Sequence, residues 1–286
     1  MISVKRYAFS RTSSADRRPT FRSAASSARD WGLGLLLLGL LIYAAVSGAA
    51  SSGYNWQWDR ALPYFLECTD SGCRPGILLR QGLMGTLRIS ALALCLALSV
   101  GFFTAAARLA GGPTSRAVGF GYVQLFRNTP LMVQLVAAHA LIPVSWGFSA
   151  TGTAVTMLGL FEGAYMAEIF RTGIIDVPKG QWEAARSLGL PTYATWLRVI
   201  LPQSLRRSLP PLVSQCVSLI KDSSLVGIIA VTELTQLSGM ASSDTFLSFE
   251  IWLPTAVLYL LPALGLSALA ALLQARLNKG LAVPLI

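Results

Sequence analysis

The sequence predicts an all-α integral membrane protein with six transmembrane helices. Of its 286 residues 53% are hydrophobic and only 13% charged, with a mean hydropathy of +0.57, more apolar surface than one soluble core can bury. The apolar residues fall in uncharged runs of about the 20 residues that a helix needs to cross the hydrocarbon layer. Most of the Lys and Arg residues flank those runs, so the net charge of +10 marks membrane topology and not a nucleic-acid-binding face.

The first span is the uncharged run Gly32 to Ala50, which exceeds the apolar core of a cleaved signal peptide and follows a long basic segment, so a retained anchor is expected. The second is Ile89 to Ala107, extended back toward Leu83. The uncharged stretch from Asn128 to Phe161 is too long for one crossing, and Pro143 with Trp146-Gly147 supplies its break. That places spans three and four at roughly 118–142 and 150–170. Span five covers about 208–232, interrupted by Lys221-Asp222, and span six runs through Ile251 to Ala275.

Bases near span ends stay on the cytoplasmic side. Lys5, Arg6, Arg11, Arg17, Arg18, Arg22 and Arg29 put the N-terminus inside. Six crossings return Arg276 and Lys279 to the same side, together with Arg108, Arg116, Arg171, Lys179, Arg186 and Arg198. Outside fall residues 51–80, where acids balance bases, and 233–250, with Glu233, Asp244 and Glu250 and no base. Tyr54, Trp56, Trp58 and Tyr64 fit an interfacial aromatic belt. In the same outer segment Cys68 and Cys73 are close enough to close a small disulfide loop, or are two unpaired thiols. Cys95 and Cys216, in apolar runs, read as packing residues.

Several chemistries are not expected. None of the four lysines is followed by Ser or Thr, so the phosphate-cradling loop GxxxxGK[ST] is absent and any ATP is hydrolysed by another chain. The cysteine spacing and the single His139 supply neither a metal site nor a nucleophilic triad. No catalytic residue, metal or bound cofactor is expected, and His139 reads as a packed or pore-lining residue.

Residues 171–207 are the longest polar interruption within the bundle. Gln181 to Leu188 predicts a short helix, with Trp182, Ala185 and Leu188 on one stripe, Gly189 as its stop and Pro191 beyond. Thr192 is placed to cap a second segment, Tyr193 to Leu201, which Pro202 interrupts. Isolated helices shorter than about 12–15 residues are marginal in water, so the first needs a surface to dock on. A cytosolic partner is the natural candidate, with Glu183 near the positive helix end and Ala184-Ala185 small enough for close approach.

The order Glu183-Ala184-Ala185, Gly189, then Val199-x-Leu201-Pro202 resembles the EAA loop of binding-protein-dependent ABC importer permeases, with Val199 where that family usually has Ile. Arg127-Asn128-Thr129-Pro130-Leu131, Ala164-Tyr165-x-Ala167-Glu168-Ile169-Phe170-Arg171, Gly180-Gln181-Trp182-Glu183-Ala184-Ala185, Leu201-Pro202-Gln203 and Lys221-Asp222-Ser223-Ser224-Leu225 resemble the polar amino-acid uptake branch. The resemblance implies a five-helix type I importer permease core plus an extra N-terminal span. It divides the chain into a basic cytoplasmic segment 1–31, the extra span 32–50, a periplasmic segment 51–80 and a permease domain 81–280 that contains the coupling loop 171–207. It also implies a bacterial inner-membrane location, a second permease subunit, identical or homologous, a pair of cytosolic ATPase subunits that use ATP, and a periplasmic amino-acid-binding protein. The ATPase-coupling residues would be Gln181, Glu183, Ala184, Ala185, Gly189, Leu201 and Pro202. Residues 1–77 lie outside the shared core, where an anchor or a receptor-facing platform are the roles open.

Charges inside spans cost roughly 2.5–3.5 kcal/mol each on insertion scales, so they face a bundle interior or a watery cavity. Glu162, without a base within four residues on its own helix, is expected to face the solute path and meet a cation, either the solute ammonium or a basic side chain. Gln134, Thr129, Lys221 and Asp222 complete the candidate path. Glu168, Lys221 and Asp222 are equally compatible with purely structural roles, and Thr129-Pro130 with a bend beside the path. The rival function, an ion-gradient-driven transporter or channel, would make 171–207 a plain loop and call for inverted repeats with matched broken helices, which the sequence does not show.

Overall fold

The computed structural model describes residues 24–51, 53–70, 72–141, 147 and 149–279. The basic stretch before residue 24 and the break residues Pro143 and Trp146 lie outside the described residues. The chain divides into two units, 1–56 and 57–286. In the first, helix α1 (Ala24–Ser51) contains the whole expected first span, and its Leu33, Leu35, Leu36, Leu37 and Leu40 are more than half exposed, as an apolar anchor requires.

The second unit opens with a short helix α2 (Trp58–Phe65) and a hairpin of β1 (Leu66–Thr69) and β2 (Gly72–Pro75), paired antiparallel with Cys68 opposite Cys73. Of the two states open to these cysteines, the structure forms the disulfide. A π turn, Leu78–Leu83, then feeds helix α3 (Met84–Ala110).

Helix α3 buries a stripe of small residues, Ala93, Ala97, Gly101 and Ala105, against α6 (Ala150–Ile175). A Cβ on Gly101 would lie 2.8 Å from Met166 Cβ, and one on Gly159 would lie 2.7 Å from Leu96. Small residues let the two backbones approach, the packing mode that lipid, as apolar as leucine, leaves to membrane helices.

Three expectations need correction. The third span, taken as one helix over 118–142, is α4 (Pro113–Arg127) and α5 (Leu131–Leu141), separated at Asn128–Pro130 because Pro130 cannot continue the helical ladder. Pro202 does not end the second hairpin segment. One helical stretch runs from Thr192 to Ile229 as α8 (Thr192–Thr195), a π turn (Trp196–Ile200), α9 (Leu201–Asp222) and a 3-10 turn (Ser223–Ile229). In the π turn Leu201 N–H reaches back five residues to Trp196 O, a local rewinding that carries the helix past the proline. Nor are residues 233–250 an open outer loop: they hold helix α10 (Leu234–Thr245), and Glu233 and Glu250 are fully buried. The last described element is α11 (Ser248–Lys279).

Among the described residues, three helical stretches are long and apolar enough to cross a membrane, Leu78–Ala110, Thr192–Ile229 and Ser248–Arg276, with Leu131–Leu141 a shorter apolar helix. One core joins Ile89, Leu135, Leu158, Leu219 and Val226 from five elements, and a second joins Ala61 and Phe65 of α2 to Leu78, Leu234, Leu247 and Ile251.

Candidate functional site

Glu162 sits in the middle of α6 with no solvent exposure. Its Oε2 accepts a 2.5 Å hydrogen bond from Gln215 Nε2 on α9, while its Oε1, equally buried, has no hydrogen-bonding partner. The Asp222 carboxyl group, at the C-terminal end of α9, adjoins it. The residues brought to this acid are thus an amide and a second acid, with no basic side chain as its bonding partner. Two adjoining carboxyl groups in an apolar bundle resist ionising together, and a cationic group between them relieves that.

The other expected path residues part company. Lys221, next to Asp222 in sequence, is exposed and lines a cavity of about 290 Å³ with Ser224, Thr235 and Tyr259. Successive helical residues point about 100° apart, so Lys221 and Asp222 serve different surfaces. Gln134 and Thr129 are absorbed by the α4–α5 break. Gln134 Nε2 donates to Thr129 Oγ1 at 2.5 Å and to the carbonyls of Phe126 and Thr129 at 3.0 and 3.2 Å, and Thr129 Oγ1 donates to Leu125 O at 2.7 Å. The amide supplies the donors that Pro130 withholds. Glu168 pairs with Arg108 Nη1 of α3 at 2.5 Å and with Arg171, tying α3 to the last turns of α6. His139 is exposed on α5.

At the other end, the hairpin forms helix α7 (Lys179–Ser187), closed by a Schellman turn: Leu190 N–H reaches Ala185 O at 3.1 Å and Gly189 N–H reaches Arg186 O at 2.9 Å, with Gly189 at φ +70°. The expected stripe is split. Trp182 stacks edge-on against Trp196 with ring centroids 5.1 Å apart and Ala185 is buried, so α7 docks this face on its own chain, whereas Leu188 is 78% exposed. Gln181 Oε1 accepts from Gln203 Nε2 at 3.0 Å, and Arg207 donates to Asp176 O. Glu183, Ala184, Leu188 and Tyr193 are left facing solvent. Thr192 begins α8 without a side-chain cap, which the Pro191 carbonyl replaces by accepting from Thr195 N–H. Leu201 and Pro202 lie where the π turn passes into α9.

Sequence reasoning missed Glu233. Its Oε2 accepts from Tyr259 OH at 2.7 Å, Thr235 N–H at 2.8 Å and Thr86 Oγ1 at 3.4 Å, and its Oε1 accepts from Gln236 N–H at 2.5 Å. One carboxylate therefore caps α10 and joins it to α3 and α11. Glutamate is not among the usual N-cap residues, so the sequence carried no signal for this. Among the described residues no cluster of three or more His, Cys, Asp or Glu could hold a metal.

A mostly helical chain with long apolar helices, an acid buried in their midst and a polar hairpin between two of them has the build of a multi-pass membrane transport subunit. The chain belongs to the family of binding-protein-dependent transport system inner membrane components, which it matches over residues 97–282. It is 36% identical over 204 residues to the glutamine transport system permease protein GlnP of Escherichia coli (strain K12), covering 70% of this chain and 93% of that one. It is likewise 36% identical over 209 residues to the L-cystine transport system permease protein TcyB of Bacillus subtilis (strain 168), covering 71% and 87%. A crystal structure of an amino acid ABC transporter with histidines superposes with a TM-score of 0.65 at 31% identity, over 70% of this chain and 94% of the other. The MetNI methionine ABC transporter, at 20% identity and a TM-score of 0.55 over 68% and 95%, shares the fold. The chain is thus a transport-system inner membrane component, and the relatives that it resembles are named as permease proteins of amino-acid transport systems.

Proposed function

We propose that the chain is the permease subunit of an importer that moves polar amino acids across the bacterial inner membrane by alternating access. In this reading it crosses six times, with α1 as the extra first span and both termini in the cytoplasm, and works with a second permease subunit, a periplasmic amino-acid-binding protein and a pair of ATPase subunits. The hairpin 171–207 seats in the ATPase, which supplies all the nucleotide chemistry. The observation that carries this is the hairpin's two-sidedness. Its inner face, with Trp182 and Ala185, is packed on the chain's own helix, while Glu183, Ala184 and Leu188 stay outside on a helix of nine residues held rigid by the Gly189 turn. A lever needs that division: one face fastened to the helix it moves, the other free for the engine.

Along the path, Glu162 and Asp222 receive the solute's ammonium group, while Lys221 faces the separate cavity with Ser224, Thr235 and Tyr259. Gln134 and Thr129 hold the α4–α5 break beside the path and do not contact solute. The test is a photocrosslinker at Leu188 in native membranes. Capture of an ABC ATPase is expected, and a hairpin that never captures one overturns the proposal.

A further inference from the structure

A cavity of about 620 Å³ lies between α2 and α11, lined by Trp58, Leu62 and Phe65 from one side and by Leu253, Val257 and Leu258 from the other. Its floor is closed, with Ala61 at 1% and Phe65 at 9% exposure, whereas Leu62, Leu253 and Val257 on its walls are each more than half exposed. It is of the size that small-molecule sites occupy. The two walls are fixed to one another: Gln57 N–H, ahead of α2, donates to Glu250 Oε1 in the first turn of α11 at 2.8 Å, and Gly76 N–H returns to Phe65 O at 2.7 Å. A Cβ at Gly76 would lie 2.5 Å from Pro63 O, so the hairpin closes tightly under α2.

We infer that this cavity holds one acyl chain of a zwitterionic outer-leaflet phospholipid, with the ammonium of its phosphoethanolamine headgroup at Asp59. Two features select that occupant. The wall on α11 continues without a polar break into Leu260, Leu261 and Leu264, all more than half exposed, so the cavity opens onto the apolar face of a helix built to stand in hydrocarbon. The charged residues of its lining, the exposed Asp59 and the buried Glu250, are both acids, complementary to an ammonium group. An acidic rim disfavours an anionic lipid, which basic clusters attract. The inference rests on the outward placement of residues 51–80 proposed above.

The assembled importer in nanodiscs of phosphatidylethanolamine and phosphatidylglycerol, doped with a diazirine-tagged phosphatidylethanolamine, tests it. Label is expected on peptides spanning 58–66 and 253–258. Leu253→Trp or Val257→Trp, each filling the void from a half-exposed position, should reduce that label about tenfold, the loss that about 1.4 kcal/mol of binding produces, while label near Leu264 persists. Asp59→Asn, altering only the rim, should erase the preference over diazirine-tagged phosphatidylglycerol. Equal label in filled and unfilled proteins, no headgroup preference in the unaltered one, or crosslinks to a second permease copy in place of lipid would each overturn the inference. A membrane-impermeant maleimide on Asn55→Cys tests the orientation separately. Reaction only from the cytosolic side would remove the outer-leaflet assignment and leave the label pattern to judge the cavity.

Discussion

Glu162 is a carboxylate with one oxygen bonded to Gln215 and the other without a hydrogen-bonding partner inside the bundle. Its Gln variant keeps the shape and the neighbour but removes the charge that an ammonium group meets. Uptake by Glu162→Gln should show a KM raised about tenfold, equivalent to about 1.4 kcal/mol of lost attraction. Unchanged uptake of every amino acid offered would remove the residue from the path. Glu233 makes the opposite case, since every bond it makes is internal. Truncation by Glu233→Ala strands the backbone N–H groups of Thr235 and Gln236, at about 1–3 kcal/mol for a buried group left unsatisfied, while Tyr259 OH keeps Thr235 Oγ1. A lower thermal midpoint by scanning fluorimetry in detergent is expected, with ligand affinity unmoved in the fraction that stays folded.

Among the elements, helix α7 depends on Gly189. Nothing lies within 4 Å of a Cβ built there, so a larger residue meets no clash and acts through φ +70° alone. Gly189→Val places a β-branched residue in the left-handed region, at about 1–2 kcal/mol, and reopens the turn that orients α7. Glu183→Lys leaves the turn intact and reverses one exposed charge. Both should leave the protein inserted but lower solute moved per ATP hydrolysed in proteoliposomes. Normal coupling in both would place the ATPase contact elsewhere. On the other side, the β1–β2 hairpin is clamped by Cys68–Cys73 across a very short loop. In the chain-entropy view a loop of this size is worth about 2 kcal/mol, so Cys68→Ser with Cys73→Ser should make residues 66–75 more sensitive to limited proteolysis while α3 and α11 stay protected.

For the molecule as a whole, topology decides which end does which work. In the proposed six-span topology the hairpin lies in the cytosol and α10 toward the outside. Cysteine introduced at Ser187 should then react with impermeant reagent only after the cytoplasmic side is opened, and one at Asp244 before it. Reversal of that order would move the hairpin to the side without ATP. The N-terminal part stands apart in both structure and resemblance: residues 1–56 form a unit of their own, and the family match begins only at residue 97.

The membrane character, the places where most helices begin and end, and the hairpin with its Gly189 stop were legible in the sequence because each depends on local properties: run length, flanking charge and a residue that tolerates positive φ. The Glu162 position stood out for the same reason, as a lone charge in an apolar run. Whether two residues meet was decided only by tertiary packing. Helix α10 was hidden because acids near a span end look like loop charges until Thr86 and Tyr259, 147 and 26 residues away, arrive to bond one of them. That Gln134 and Thr129 bond each other and the carbonyls around the break before Pro130 was likewise invisible in the sequence. Sequence patterns of period 3.6 report which face is apolar; they carry no term for which distant helix lies against it, and that term decided which partners the buried polar groups meet.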